Sequence, residues 1–96
     1  MQPSEPMLPS AYRVRRITRE TANTVTTELV PQSGAEAVRY TPGQFNMLYV
    51  FGVGEAPISI SGDPAERGVI VHTTRGVGPV SRAICAMKRN AMIGVR

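Results

Sequence analysis

The chain has 96 residues, of which 42% are hydrophobic and 5% aromatic, so it predicts one small domain with an aliphatic core. A single cysteine, Cys85, excludes an intrachain disulfide framework and a zinc or iron–sulfur site built by this chain alone. The net charge is +4 and ten of the eleven basic residues are arginine. This bias favours ligands with phosphates or carboxylates, although a GC-rich genome would produce it too.

The N-terminal segment is polar and rich in proline. Residues 1–10 contain three prolines and no apolar signal-peptide core, so we expect a flexible leader followed by one domain over residues 11–96. No apolar run is long enough to span a bilayer, and we expect a cytoplasmic location by default.

Two strands are predicted at the start of the domain. Residues 12–20 alternate in polarity until the register slips at Arg15–Arg16, which indicates a strand with a β-bulge. Residues 24–30 alternate cleanly, and their β-branched content supports a second strand. One face of this second strand is formed by Val25, Thr27 and Leu29.

Three more strands follow a loop and a Pro42–Gly43 turn. Residues 44–51 are apolar on both faces, which predicts a central strand. One of those faces carries Phe45, Met47, Tyr49 and Phe51, and the other carries Leu48 and Val50. Residues 56–61 and 69–74 are predicted as the next two strands, separated by a Gly-Asp-Pro turn.

One late helix is predicted over residues 79–89. Val80, Ile84 and Met87 fall at helical spacing, and Pro79 suits a first helical turn. Residues 91–96 would add a last short strand. Five or six short strands with one helix predict an all-β antiparallel barrel or sandwich.

The join between the fifth strand and the helix predicts an anion site. Gly76 and Gly78 allow close approach of the backbone, and Ser81 lies in the first helical turn, where free N–H groups attract phosphate. Arg75 and Arg82 flank this turn. The alternative is an ordinary strand-to-helix turn in which Ser81 acts as a cap.

The sequence pattern around the other reactive side chains does not indicate a catalytic centre. His72 has no Asp, Cys or Glu cluster near it in sequence, so no metal site is expected. Cys85 has apolar neighbours and is interpreted as a core thiol. Ser59 and Ser61 lack the Gly-x-Ser-x-Gly setting of an esterase nucleophile. Glu55 and Asp63 are interpreted as turn residues.

Two long segments carry a resemblance to a known family. Residues 40–61, YTPGQFNMLYVFGVGEAPISIS, and residues 69–96, VIVHTTRGVGPVSRAICAMKRNAMIGVR, resemble the flavin-binding barrel of the ferredoxin–NADP reductase superfamily. The similarity is greatest to a branch that contains hydrogenase gamma subunits, one of the subunits of anaerobic sulfite reductase and the electron-transfer subunit of dihydroorotate dehydrogenase. The resemblance implies a six-stranded antiparallel Greek-key barrel that binds FAD and passes electrons between NAD(P)H and a partner redox subunit.

The resemblance also implies a set of flavin-binding residues. The family motif Arg-x-Tyr/Phe-Ser matches here at Ser59, while Ala56 and Ile58 replace its pyrophosphate-binding Arg and its stacking aromatic residue. Arg75 could supply the missing charge. The family's second motif is the glycine turn before the helix. The implied set is Ala56, Pro57, Ile58, Ser59, His72, Thr73, Thr74, Arg75, Gly76, Val77, Gly78 and Ser81.

Family members continue into a nicotinamide-binding domain, which this sequence does not contain. The chain is therefore expected to be a truncated piece that does not oxidise NAD(P)H alone. The implied partners are that domain and iron–sulfur, hydrogenase or reductase subunits. One alternative is a flavin-free partner or assembly module on the same barrel. The other is a basic nucleic-acid-binding barrel, which is disfavoured because single-strand binding needs stacking aromatics and the five here lie largely in predicted core positions.

Overall fold

The fold is seen in a computed structural model that describes residues 8–34, 37, 40–41, 43–63, 66 and 68–96. Residues 1–7 of the predicted leader, part of the loop before the third strand, Pro42 and part of the Gly-Asp-Pro turn lie outside the described residues. The described elements, in chain order, are β1 (Ser10–Thr21), β2 (Thr24–Pro31), β3 (Phe45–Val50), β4 (Gly54–Ser59), β5 (Ile70–Arg75), α1 (Pro79–Cys85) and β6 (Met92–Val95).

The strands form one antiparallel sheet in the order β4-β3-β6-β1-β2-β5. The sheet curls so that its two edge strands approach each other, and an isolated antiparallel bridge joins Ile60 to His72. The prediction of an all-β antiparallel barrel with one short helix is therefore confirmed. The sheet is barrel-like and not fully closed, because β4 and β5 do not pair with each other as a ladder in the described residues.

The predicted bulge in the first strand is confirmed. The register of β1 on β2 shifts between Val14 and Arg16, and a second shift follows near the hairpin turn. Ser10, the last residue of the predicted leader, pairs with Val95 of β6, so β1 begins one residue before the predicted start of the domain.

The core is aliphatic and fills the inside of the curled sheet. In β2, Val25, Thr27 and Leu29 point inward, as the alternation predicts. Complete burial of each Leu or Ile side chain stabilises the fold by about 1.5–3 kcal/mol. The fully buried apolar side chains are Val14, Val25, Leu29, Leu48, Ile70 and Ile84, with Tyr12, Ile93 and Val95 almost completely buried.

β3 lies between β4 and β6, as predicted for a central strand, but only one of its faces is buried. Leu48 and Val50 point inward, whereas Phe45 on the outer face is 58% exposed and Phe51 in the following turn is 54% exposed. The apolar pattern of the outer face predicts burial, and that prediction is wrong for these two rings because no second layer of described residues covers them.

α1 is shorter than the predicted helix, because it ends at Cys85 and not at Arg89. Arg19 donates a hydrogen bond from Nη2 to the carbonyl oxygen of Cys85 over 3.2 Å, which places a cation at the helix C-terminus. Asn90 then adopts a φ of 74° as the chain turns into β6. The predicted inner face is confirmed, because Ile84 is buried and both Val80 and Met87 pack against the core.

Candidate functional site

The two edge strands, β4 and β5, form no ladder with each other in the described residues, and we call the open edge between them the β4–β5 cleft. The isolated Ile60–His72 bridge closes one end of it. At the other end, α1 approaches β4 so closely that a Cβ added at Gly54 would lie 3.5 Å from Val80 Cγ2. Edge strands present backbone N–H and C=O groups that have no strand partner on one side. The cleft therefore offers hydrogen-bonding backbone to a ligand, and Pro57 is compatible with an edge position.

Three hydroxyl groups form a row on the outer surface beside this cleft. Thr73 Oγ1 lies 3.0 Å from Thr26 Oγ1 and 3.0 Å from Ser61 Oγ. Ser59 is exposed at the end of β4, close in sequence to Ser61 of this row. The hydroxyl row thus gives β5 a polar outer surface that can donate to or accept from a polar ligand.

An exposed ring lies directly beside Ser59. Phe45 of β3 is the register partner of Ser59, so the two side chains are cross-strand neighbours on the outer face. Sequence reasoning missed Phe45 as a site residue because it assigned the ring to a covered face. Its place at the first position of the strand, directly after a turn, was the available signal. Further exposed apolar side chains are Phe51, Val53 and Val77.

The turn before α1 is organised by Ser81. Its Oγ accepts hydrogen bonds from the backbone N–H groups of Val77 and Gly78, both over 2.9 Å, and donates to Gly78 O over 3.2 Å. Ser81 is 7% exposed, so this hydroxyl acts as a cap, the alternative left open by the sequence. Pro79 has no N–H, and the N–H groups of Val80 and Ser81 have no acceptor among the described residues. Val80 and Ser81 therefore both present an amide to an anion.

The two glycines of this turn have different surroundings. A Cβ added at Gly76 would lie 3.3 Å from Arg82 Cγ, so Gly76 packs against the helix. At Gly78 an added Cβ would meet nothing within 4 Å, and its φ of −146° is accessible to any residue. The fold does not require glycine at position 78. The position is an open place where a ligand can approach the backbone, with the exposed Arg75 on the adjoining strand.

The predicted site residues of β5 divide between the two faces of the strand. Thr73 and Arg75 are exposed, whereas His72 and Thr74 are buried in the interior. His72 Nε2 lies 2.9 Å from Asn46 Oδ1, and burial lowers the pKa of His72 to about 4, so the ring is neutral at pH 7. The side chains of His72 and Thr74 do not reach the outer surface and can contribute there only through their backbone.

The predicted residues of β4 also differ in exposure. Pro57 and Ser59 lie on the exposed side of β4, whereas Ile58 packs against the core. The interpretation of Glu55 as a turn residue is wrong. It lies in β4 and accepts hydrogen bonds from Arg96 over 2.7 and 3.0 Å, which lower the pKa of Glu55.

The remaining candidates do not form a reactive centre in the described part of the chain. Cys85 is half-buried, and its thiol lies 3.5 Å from Thr74 O, consistent with a core thiol. Within the described ranges, no group of three or more His, Cys, Asp or Glu side chains is placed to hold a metal ion. None of the described helical segments has the length and hydrophobicity of a membrane span.

One relative of known name is similar to this chain in sequence. The chain is 37% identical over 62 residues to sulfhydrogenase 1 subunit gamma of Pyrococcus furiosus, a match that covers 65% of this chain and 21% of that subunit. No protein-family model matches the chain. This relative lies in the hydrogenase-gamma branch that the motifs indicate, and the resemblance to that branch is confirmed.

Two solved structures are similar to this chain in fold. An intact type IV self-sufficient cytochrome P450 monooxygenase superposes with a TM-score of 0.81 at 18% identity, over 100% of this chain and 14% of that protein. Full-length CYP116B46 from Tepidiphilus thermophilus gives a TM-score of 0.80 at 18% identity, with the same coverage. The chain thus corresponds to about one fifth or less of the length of each of these relatives.

Proposed function

We propose that residues 11–96 are the FAD-binding barrel of an electron-transfer oxidoreductase that passes electrons between NAD(P)H and a partner redox subunit. The proposal is supported by the two motifs, by the similarity to a sulfhydrogenase gamma subunit and by the barrel-like fold. The observation that carries it is the alignment of the β4–β5 cleft, the hydroxyl row and the glycine turn along one strand, β5.

This alignment fits an elongated ligand with a polar ring system at one end and phosphates at the other. Thr73 and Gly76 are three residues apart, which corresponds to roughly 10 Å along an extended strand. Open space at Gly78 lies at the phosphate end, and exposed hydroxyls lie at the ring end. The residues present therefore fit a flavin nucleotide.

At the phosphate end, the chain supplies two backbone amides and one cation. The N–H groups of Val80 and Ser81 would donate to phosphate oxygens, and the exposed guanidinium of Arg75 would balance their charge. Ser81 would act indirectly, since its hydroxyl holds the backbone of Val77 and Gly78 in place.

At the ring end, Ser59 would hydrogen-bond the edge of the flavin ring, and backbone groups of β4 would bind its other polar atoms. Ile58 packs against the core and carries no ring, so Phe45 is the aromatic side chain positioned to cover the flavin beside Ser59. FAD, when bound, supplies a carrier that exchanges either one or two electrons.

The whole-protein activity extends beyond this barrel. A nicotinamide-binding domain would position NAD(P)H, and an iron–sulfur, hydrogenase or reductase subunit would exchange electrons with the flavin. These partners follow from the resemblance and are part of the proposal.

The test is reconstitution with FAD and, separately, with FMN, followed by desalting and measurement of flavin absorbance. FAD retention above that of FMN is expected, because the phosphate end would hold the longer nucleotide. Gly78→Val should weaken FAD binding at least tenfold, equivalent to about 1.4 kcal/mol, because its side chain would fill the open space. The control is the fold itself: Gly78→Val should keep the circular dichroism of the parent chain, because a Cβ added at Gly78 meets nothing within 4 Å. FAD binding that Gly78→Val leaves unchanged would put the phosphates elsewhere.

A second candidate is a flavin-free partner or assembly module. Two observations favour it: Ser81 already satisfies the N–H groups of Val77 and Gly78, and neither Ala56 nor Ile58 carries a charge or an aromatic ring. Retention of neither flavin at millimolar concentration would support this module over the flavin-binding barrel.

A further inference from the structure

A second surface, away from the β4–β5 cleft, gathers arginine side chains in a groove of about 590 Å³. We call it the arginine groove. It is lined by Arg15, Arg16, Ile17, Glu28 and Arg89.

The fold explains why these side chains meet. The bulge between Val14 and Arg16 breaks the alternation of β1, so both Arg15 and Arg16 are exposed. The loop before β6 docks on the same place, because Asn90 N donates to Val14 O over 2.8 Å and Val14 N donates to Ala91 O over 2.9 Å. This docking brings Arg89 to the bulge.

The charges of the groove are only partly balanced. Arg15 donates to Glu28 Oε1 from Nη2 over 2.6 Å and from Nε over 3.2 Å, and its Nη2 lies 3.9 Å from Glu66. The side chains of Arg16 and Arg89 make no ion pair or hydrogen bond with any described residue. Two guanidinium groups therefore face one groove with no hydrogen-bond acceptor among the described residues.

The chemistry of the lining selects among anionic partners. Free guanidinium forks bind carboxylates in a bidentate manner, and half-buried Ile17 adds an apolar contact to the lining of the same groove. A nucleic-acid strand would use stacking aromatics, and the groove is lined by none; the exposed rings Phe45 and Phe51 belong to the β3 region, two strands away from β1.

We propose that the arginine groove is a docking surface for an acidic segment of a partner protein, which presents two carboxylates to Arg16 and Arg89 and an apolar side chain to Ile17. Glu28 also lines the groove, and its pairing with Arg15 leaves Arg16 and Arg89 as the lining cations without a described partner. This surface does not depend on flavin, so it stands or falls independently of the proposed cofactor.

The test uses the flavin-free 96-residue chain and a short fluorescein-labelled peptide rich in Asp and Glu with one central Leu. Fluorescence anisotropy should show salt-dependent binding that weakens about tenfold with Arg16→Gln or Arg89→Gln, and further in the double variant. Arg16→Lys should restore only part of the affinity, because it keeps the charge and loses the planar fork.

The matched control is Lys88→Gln, which makes the same change in net charge at an exposed residue that does not line the groove. It should leave peptide affinity within about twofold of the parent chain, and the groove variants should keep the circular dichroism of the parent, since both arginines are exposed. Equal losses with Lys88→Gln and the groove variants would overturn the proposal. Tighter binding of a single-stranded oligonucleotide, lost in the same groove variants, would also overturn it.

Discussion

His72 should make the fold sensitive to mild acid. The ring is buried against Asn46, and desolvation alone lowers its pKa from 6.5 to about 4. A histidine whose pKa is lower in the folded state is protonated preferentially in the unfolded chain. The free energy of unfolding is therefore unaffected by this histidine above pH 6.5, and it decreases as the pH falls from 6.5 towards 4. A shift of this size corresponds to roughly 3 kcal/mol.

The assay is urea denaturation at a series of pH values from about 7.5 down to about 3.5, a range that brackets both pKa values of His72. The variant His72→Gln removes the titrating group while its amide can still donate to Asn46, so its stability should be nearly constant between about pH 7 and about pH 5. Glu55, whose pKa is lowered by Arg96, loses its contribution only as the pH falls below its ordinary 4.5, so Glu55→Gln separates the two effects. A parent chain with constant stability between pH 6.5 and 4.5 would refute the inference that His72 is buried and neutral.

Three further variants test the packing and the site. Ser81→Ala should lower the free energy of unfolding by about 1–3 kcal/mol in urea denaturation, because it leaves two backbone N–H groups without an acceptor, whereas Ser81→Thr should keep most of it. Gly94→Ala should cost about 1–3 kcal/mol in the same assay, because the new Cβ would lie 2.8 Å from Pro9 Cβ; an unchanged midpoint would show that the N-terminal segment does not pack there. Phe45→Ala should weaken FAD binding severalfold in a fluorescence titration with little loss of stability, and an unchanged affinity would remove Phe45 from the site.

Local sequence patterns predicted where the strands lie better than they predicted which faces are covered and where the helix ends. The bulge in β1 and the inward face of β2 were readable because alternation is a property of the strand itself. The exposure of Phe45 was not readable, since an apolar face looks the same whether or not another layer covers it. The length of α1 was overestimated because its end is determined by contacts with Arg19 and by the turn at Asn90, which are tertiary.

In the candidate site, too, some features follow from local sequence and others depend on tertiary structure. The glycine turn and Ser59 are predicted from the sequence because their spacing matches the family motifs. His72 and Thr74 are buried because they lie on the side of β5 that the curled sheet encloses. Alternation shows that the two residues share a face, but it does not specify which face is inside. The use of the Ser81 hydroxyl as an acceptor for two amides depends on the geometry of the turn, so the sequence left it as one of two alternatives. The arginine groove depends on a docked loop and had no local signal.

The central claim, that the β4–β5 cleft and the adjoining turn bind a flavin nucleotide, is tested most directly by an amide-resolved NMR titration of the chain with FAD. We expect the largest chemical-shift changes at residues 58–61 and 73–81, and we expect them to saturate with a single affinity. Adenosine diphosphate should perturb only the turn at residues 76–81. Shifts concentrated on the arginine groove, or no shifts at millimolar FAD, would contradict the claim.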